Sequence, residues 1–120
     1  MSFSYNIENI NDKLTVISFT GRLMHAEDNE AIIKEVEEKI ANGGSAFILD
    51  LEKLDYMNSS GLNVFVSILT KARNNGGDVI ICSVPEKINQ LLIITKLNSV
   101  FTVTKSVKEA VNKLSETTEV

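Results

Sequence analysis

Two amphipathic segments that end in paired glycines most constrain the fold of this chain. The first, over about 28–41, carries Ile32, Ile33, Val36 and Ile40 on one face and ends at Asn42-Gly43-Gly44. The second, over about 60–73, ends at a similar Asn-Asn-Gly-Gly sequence. Apolar spacing of this kind predicts helices, and residues that accept positive φ predict where they stop. A short apolar run follows each segment and predicts a buried strand, so the pattern indicates a parallel sheet covered by helices.

The rest of the chain extends this alternation of strands and helices. Residues 3–8 alternate between apolar and polar, which predicts an edge strand, and the run 14–19, ended by Gly21, predicts an inner strand. Ser83 and Glu86 predict a capping box that opens a third helix through about Lys96. The other predicted elements are strands at 46–51, 78–83 and 100–103 and a last helix that begins at a second capping box, Ser106 to Glu109.

The predicted order is therefore β-β-α-β-α-β-α-β-α. It indicates a single α/β domain over 1–116, with a mostly parallel mixed sheet of about five strands, four helices and one antiparallel edge strand. A polar tail over 117–120 is expected to fray.

Composition excludes several classes of function. The chain has 120 residues and a formal net charge of −4, with Lys and Arg scattered among acids, so no basic stripe predicts nucleic-acid binding. The apolar runs are too short to cross a membrane, and the N-terminus lacks the pattern of a signal peptide, which predicts a cytoplasmic protein. The single cysteine, Cys82, lies in a strand-like run and is expected to be a buried thiol.

The residues that carry chemistry stand at the junction Met57-Asn58-Ser59-Ser60-Gly61-Leu62, between a predicted strand and a predicted helix. Unpaired N–H groups and the macrodipole at a helix N-terminus favour negative charge, so a serine here either caps the helix or holds a phosphoryl group. Gly61 is expected to leave space above the helix start. The helix carries no charge until Lys71, which predicts an exposed apolar face for docking.

Other candidate chemistry is sparse. His25 is the only histidine, and it stands in a predicted loop without the partners of a catalytic triad. Cys82 has no spaced partner for zinc, and no glycine-rich phosphate loop precedes a helix. Asp50 stands at the end of a buried strand, as the phosphoacceptor of a receiver domain does. A receiver domain also needs an acidic pair to bind Mg²⁺, and none follows Phe19. Asp50 is therefore interpreted as a polar residue that ends the strand. The sequence therefore predicts neither an enzyme nor a cofactor site.

The segment Asn58-Ser59-Ser60-Gly61-Leu62, after the run Leu49–Met57, resembles the STAS domain of bacterial anti-sigma factor antagonists. Weaker agreement comes from Gly76-Gly77, from Gly21-x-Leu23 and from the stretch 91–101. The resemblance covers essentially the whole chain and implies the same order of strands and helices.

The resemblance implies a binding protein that is switched by phosphorylation. A partner serine kinase that doubles as an anti-sigma factor is expected to phosphorylate Ser59, and a PP2C-type phosphatase to restore the serine. Unmodified, the protein docks on the kinase and displaces the sigma factor; the added phosphate abolishes this binding. The residues expected to face the partner are Met24, His25, Asn58, Ser60, Gly61 and Leu62.

Two positions depart from the family pattern. Asn58 stands where Asp is common, and Met24 stands where antagonists often carry an acidic residue. One alternative is a non-phosphorylated STAS subunit that binds its partner constitutively, in a scaffold or lipid-transport complex, with Ser59 only as a cap. A second alternative is a small α/β enzyme or nucleotide binder. The exposed apolar helix allows a monomer or a weak homodimer.

Overall fold

The computed structural model describes residues 3–118, with side chains described for 3–114. Within that part the strands are β1 (Phe3–Asn9), β2 (Leu14–Leu23), β3 (Ala46–Met57), β4 (Asp78–Cys82) and β5 (Thr102–Thr104). The helices are α1 (Ala26–Ala41), α2 (Ser59–Asn74), α3 (Glu86–Ile94) and α4 (Val107–Thr118), with a short 3₁₀ turn at Leu97–Ser99. Of the tail predicted to fray, 117–118 belong to α4 and 119–120 lie outside the described residues.

The five strands form one mixed sheet in the order β1-β2-β3-β4-β5. Strand β1 is antiparallel to β2, and each of the other neighbouring pairs is parallel. The predicted α/β fold, its element order and its single antiparallel edge strand are therefore confirmed. Parallel neighbours need a crossover connection, and α1, α2 and α3 supply these connections between β2, β3, β4 and β5.

Alternation along the strands divides the core between the two faces of the sheet. On one face, Phe19 of β2 and Phe47 of β3 pack with residues of α1, α2 and α3 in the larger cluster of buried side chains. On the other face, Ile48, Ile80 and Cys82 pack against Ala110 of α4. The predicted burial of the thiol is confirmed, since Cys82 is fully buried.

Strands β2 and β3 both run further than the sequence predicts. Strand β2 does not end at Gly21 but continues to Leu23. The pairing with β3 shifts register beside Gly21, and the backbone irregularity there gives this residue a φ of +95°, which glycine adopts easily. Strand β3 continues past 51, so Asp50 lies within the strand and does not terminate it. Beyond Leu51 the buried residues recur every third position, at Leu54 and Met57, and not every second. The broken alternation explains why the extension escaped the sequence pattern.

The third helix and the last strand also differ from expectation. The N-cap of α3 is Pro85, and the Ser83 hydroxyl donates to the Lys105 carbonyl, so the predicted capping box at Ser83 is wrong. The helix ends at Ile94, and β5 starts two residues later than predicted. The capping box before α4 is supported, because the Ser106 hydroxyl oxygen accepts from the Glu109 N–H at 3.1 Å.

Helix α2 does not expose an apolar face, which corrects the sequence interpretation. Val64 is buried, because α1 packs along α2 and covers that side of the helix. Leu62 and Phe65 face the sheet, and Val66 is half-buried against the main core. The weak homodimer stays a prediction, but the surface that motivated it is covered. None of the helices within 3–118 combines the length and the apolarity needed to cross a membrane.

Candidate functional site

The candidate site lies where β3 ends and α2 begins, with Asn58 alone between them. Strand β2 runs alongside, because Leu23 pairs with Met57 in parallel register. The Asn58 N–H donates to the Leu23 carbonyl at 3.4 Å. The segment that leads into α1 therefore lies beside the start of α2.

Asn58, and neither serine, is the N-cap of α2. Its Oδ1 accepts from the Gly61 N–H at 2.9 Å, and its carbonyl accepts the first intrahelical bond, from the Leu62 N–H, also at 2.9 Å. Its Nδ2 donates to the Met24 carbonyl at 3.3 Å. The prediction that Ser59 or Ser60 caps the helix is wrong, because the extended backbone that a cap requires falls one residue earlier.

Ser59 is the first residue of α2 and is exposed. Among the described residues its hydroxyl makes no hydrogen bond. The first turn of the helix contains no acidic residue, so no carboxylate offsets the positive end of the helix dipole there. The backbone N–H groups of the first turn have no intrahelical acceptors. The position is thus open to a partner and favourable to added negative charge.

Ser60 is also exposed, but its hydroxyl is tied to the neighbouring helix. Its Oγ accepts from Nδ2 of Asn29 in α1 at 2.7 Å. The other end of that carboxamide, Oδ1, is buried without a hydrogen-bond partner among the described residues. The two adjacent hydroxyls are therefore in different states, since one is held by α1 and the other is not.

Gly61 and Leu62 are buried, so they support the site from within. A Cβ at Gly61 would stand 2.6 Å from the Leu23 carbonyl oxygen and 3.2 Å from Cβ of Met57. The expected space above the helix start is therefore not the reason for glycine. This residue lets the first turn of α2 pack on the ends of β2 and β3.

Met24 and His25 form the connection between β2 and α1. Met24 is half-buried, while His25 is exposed and is the N-cap of α1 without a side-chain hydrogen bond. The carboxylates nearest in sequence are Glu27 and Asp28, in the first turn of α1. The family pattern led us to expect an acidic residue at the position of Met24. The structure has its nearest acidic residues about one helical turn later.

Sequence reasoning missed Asn29, which bonds to Ser60, and did not single out Tyr56, two residues before Asn58. Asn29 stands at helical spacing before Ile32, Ile33 and Val36, so its position on the inward face of α1 could have been noticed. Tyr56 fell outside the predicted strand. It is 41% exposed, and the guanidinium carbon of Arg22 lies 4.7 Å from its ring centroid.

A shallow groove of about 540 Å³ runs between α1 and α2 and reaches Ser60 at one end. Its floor includes Ile33 and Val64, and the ion pair between Lys71 and Glu37, 3.0 Å apart, ties the two helices further along. Within the described residues no group of three His, Cys, Asp or Glu side chains could hold a metal ion.

Comparison with known proteins agrees with this geometry. The sequence profile of the STAS domain matches residues 5–110. BtrV, a proposed anti-sigma factor antagonist of Bordetella bronchiseptica, is 26% identical over 101 residues, which cover 78% of this chain and 87% of BtrV.

Two solved structures share the fold. TM1081 from Thermotoga maritima superposes with a TM-score of 0.83 at 20% identity, covering 93% of this chain and 89% of that one. The Bacillus cell fate determinant SpoIIAA in its phosphorylated form gives a TM-score of 0.75 at 20% identity, covering 92% and 98%. The family profile spans most of the chain, and the chain accordingly belongs to the STAS domain family.

Proposed function

We propose that this protein is an anti-sigma factor antagonist that binds a partner serine kinase and is switched off by phosphorylation of Ser59. The observation that carries the proposal is the state of Ser59, an exposed hydroxyl without hydrogen bonds at the first residue of α2. A relative of the same fold, SpoIIAA, has been solved in a phosphorylated form, which supports a phosphoprotein. A PP2C-type phosphatase would complete the cycle.

The chemical step transfers one phosphoryl group. Ser59 Oγ forms a bond to the γ-phosphorus of ATP, and the bond from that phosphorus to the ADP oxygen breaks. The hydroxyl proton passes to a base on the kinase, and ADP leaves. The antagonist supplies only the acceptor and its position, because phosphoryl transfer depends mainly on positioning and charge stabilisation. The kinase draws on ATP, so we propose that the switch operates in the cytoplasm.

Phosphorylation acts through charge. A phosphoserine at position 59 adds about −1.5 to −2 charges at neutral pH. The N-terminus of α2 accommodates that charge, because its first turn contains no carboxylate. A partner surface that fits the neutral site does not accommodate it. The fold therefore survives while the interface is lost.

The partner-facing surface that we propose consists of exposed or half-buried residues around Ser59. It comprises Met24, His25, Asn58, Ser60 and Tyr56. Gly61 and Leu62 are left out of this surface because both are buried. Asn58 caps the helix through Oδ1 as an aspartate would, but without a negative charge beside the acceptor. Its neutrality spares the phosphoserine a like-charge neighbour.

The test is phosphorylation in vitro by a candidate partner, a serine kinase of the anti-sigma factor type from the organism that encodes this protein. Wild type, Ser59→Ala and Ser60→Ala are incubated with ATP and analysed by intact mass and fragmentation. We expect one phosphate on wild type and on Ser60→Ala, and none on Ser59→Ala. An unmodified wild type would overturn the switch, and modification confined to Ser60 would move the site.

The binding half of the proposal needs a separate measurement. Ser59→Asp should lose affinity for the kinase by at least about tenfold while unfolding at the same denaturant concentration as wild type. Ser59→Ala is the matched control and should bind as wild type does. Equal binding by all three proteins would favour the constitutive alternative, a scaffold or lipid-transport subunit.

A further inference from the structure

The hydrogen bond between α1 and Ser60 bears on how the site is regulated. We propose that Asn29 is a positioning residue that directs phosphorylation to Ser59 by holding the adjacent Ser60 hydroxyl against α1. This inference rests on the proposed function and adds the residue that separates two neighbouring acceptors.

The contact is short and joins distant parts of the chain. Nδ2 of Asn29 lies 2.7 Å from Ser60 Oγ, and the two residues are 31 positions apart. Asn29 is half-buried on the face of α1 that also carries Ile32 and Val36, both fully buried, so the packing of the helix fixes its place. A carboxamide held in this way is a rigid donor, and Ser60 is the partner it reaches.

The bond makes Ser60 a poorer acceptor of a phosphoryl group. A lone pair of its Oγ is engaged by the Asn29 N–H, and the side chain is turned towards the α1–α2 groove. Attack on the γ-phosphorus of ATP needs a free lone pair and an in-line approach. Ser60 Oγ keeps a second lone pair, but the bond to Asn29 holds the hydroxyl towards α1, so Ser60 does not reach the in-line geometry until that bond breaks.

Ser59 is not subject to this restraint. Successive residues of an α-helix project about 100° apart, so the side chain of Ser59 leaves the helix in a different direction from that of Ser60. Its hydroxyl makes no hydrogen bond among the described residues. A kinase that approaches the start of α2 therefore meets one restrained hydroxyl and one available hydroxyl.

The same restraint holds for either orientation of the carboxamide. With the amide reversed, Oδ1 of Asn29 would accept from the Ser60 hydroxyl instead of Nδ2 donating to it. In both arrangements Ser60 Oγ stays bonded to α1. The proposal therefore depends on the contact and not on which atom donates.

The experiment compares phosphosite distributions after incubation with the serine kinase and ATP. Asn29→Ala and Asn29→Leu are made in the wild-type background and in Ser59→Ala; leucine keeps the bulk of asparagine without its hydrogen bonds. We expect both substitutions to raise the share of phosphate on Ser60 by at least about threefold, the equilibrium worth of one hydrogen bond. In the Ser59→Ala background they should make Ser60 a detectable acceptor.

The matched control is Asn63→Ala, which removes a carboxamide that lines the same groove and makes no hydrogen bond to Ser60. It should keep the wild-type distribution. If Asn29→Ala and Asn29→Leu also keep it, the inference is overturned while the proposed function stands. If wild type takes no phosphate at all, the proposed function fails. The restraint on Ser60 is then tested by NMR, from the χ1 coupling constants of Ser60. A single χ1 rotamer in wild type and averaging between rotamers in Asn29→Leu would support the restraint. Averaging between rotamers in wild type as well would overturn it.

Discussion

At the scale of single residues, Asn58 links two parts of the site through its carboxamide. Oδ1 holds the Gly61 N–H at 2.9 Å, and Nδ2 reaches the Met24 carbonyl at 3.3 Å. We predict that Asn58→Ala lowers the free energy of unfolding by about 1–2 kcal/mol, the usual cost of losing a helix cap. Asn58→Asp keeps the acceptor and adds a charge that suits the helix dipole, but it replaces the donor to the Met24 carbonyl by an acceptor, so it should recover only part of that loss. Urea denaturation measures both, and equal losses would show that the cap contributes nothing.

Position 61 requires glycine because of close packing, and not because of a left-handed backbone conformation. Its added Cβ would approach the Leu23 carbonyl oxygen to 2.6 Å, and a backbone oxygen can move only with its strand. We predict that Gly61→Ala costs about 1–3 kcal/mol of stability, the range for overpacking. Ser59→Ala, two residues earlier and exposed, is the control and should change stability by less than about 0.5 kcal/mol. A stable Gly61→Ala protein would mean that the end of β2 gives way.

The site was predictable only in part at this scale. The family resemblance drew attention to Met24, and the structure places its carbonyl 3.3 Å from Nδ2 of Asn58. The capping role of Asn58 depends on the backbone angles of one residue, which the pattern leaves undecided between positions 58, 59 and 60. The bond from Asn29 to Ser60 depends on how two helices pack, so inward spacing on α1 could suggest a buried asparagine but not its partner.

At the scale of elements, the existence and order of strands and helices followed from periodicity, but the ends of β2 and β3 did not. Both strands continue past a register irregularity beside Gly21. In β3, burial changes there from nearly every residue to every third residue, at Leu54 and Met57. This extension matters for function, because it carries Met57 to the side of Leu23 and so brings the start of α2 to the end of β2. A pattern of alternation cannot predict a strand that stops alternating.

Helix α2 provides a prediction at the same scale, since α1 covers the side that the sequence suggested would be exposed. Val64 is 4% exposed, whereas Asn63 beside it is exposed. We predict that Val64→Asp destabilises the protein by more than about 3 kcal/mol, because it buries an unpaired charge between two helices. Asn63→Asp introduces the same carboxylate next to it and should change stability by less than about 0.5 kcal/mol. Thermal and urea unfolding of the pair would decide, and a well-folded Val64→Asp protein would mean that the α1–α2 contact opens readily.

At the scale of the whole molecule, the two faces of the sheet are packed against different numbers of helices. Three helices cover one face, and α4 alone covers part of the other, where the remaining strand residues over β1 and β2 are polar, such as Ser4, Asn6 and Ser18. This division follows from the sequence, because the apolar residues of β1 alternate while those of the inner strands continue on both faces. The candidate site sits at the edge of the layer formed by α1, α2 and α3, where α1, α2, β2 and β3 meet.

The layer that α4 covers contains a buried thiol, Cys82, that links the stability of the fold to alkaline pH. Burial under α4, with the nearby Asp50 carboxylate, raises the pKa of the Cys82 thiol from 9.0 to about 11. Below pH 9 the thiol keeps its proton in both the folded and the unfolded chain and has no effect. Between pH 9 and 11 the unfolded chain releases the proton and the folded chain retains it, so the free energy of unfolding falls as pH rises.

We predict that this loss approaches about 1.4 kcal/mol per pH unit between those limits, and that it ends above the folded pKa. Tyr5, whose pKa is also raised from 10.0 by burial and by the Glu35 carboxylate, adds to the fall in the upper part of the range. Cys82→Ala is the matched variant: it should lose only the part that Tyr5 and other groups contribute. Urea denaturation at pH 8 and pH 10.5 measures the difference for both proteins. An identical alkaline loss in wild type and Cys82→Ala would mean that the pKa of the thiol is the same in the folded and the unfolded chain, and that burial under α4 does not raise it.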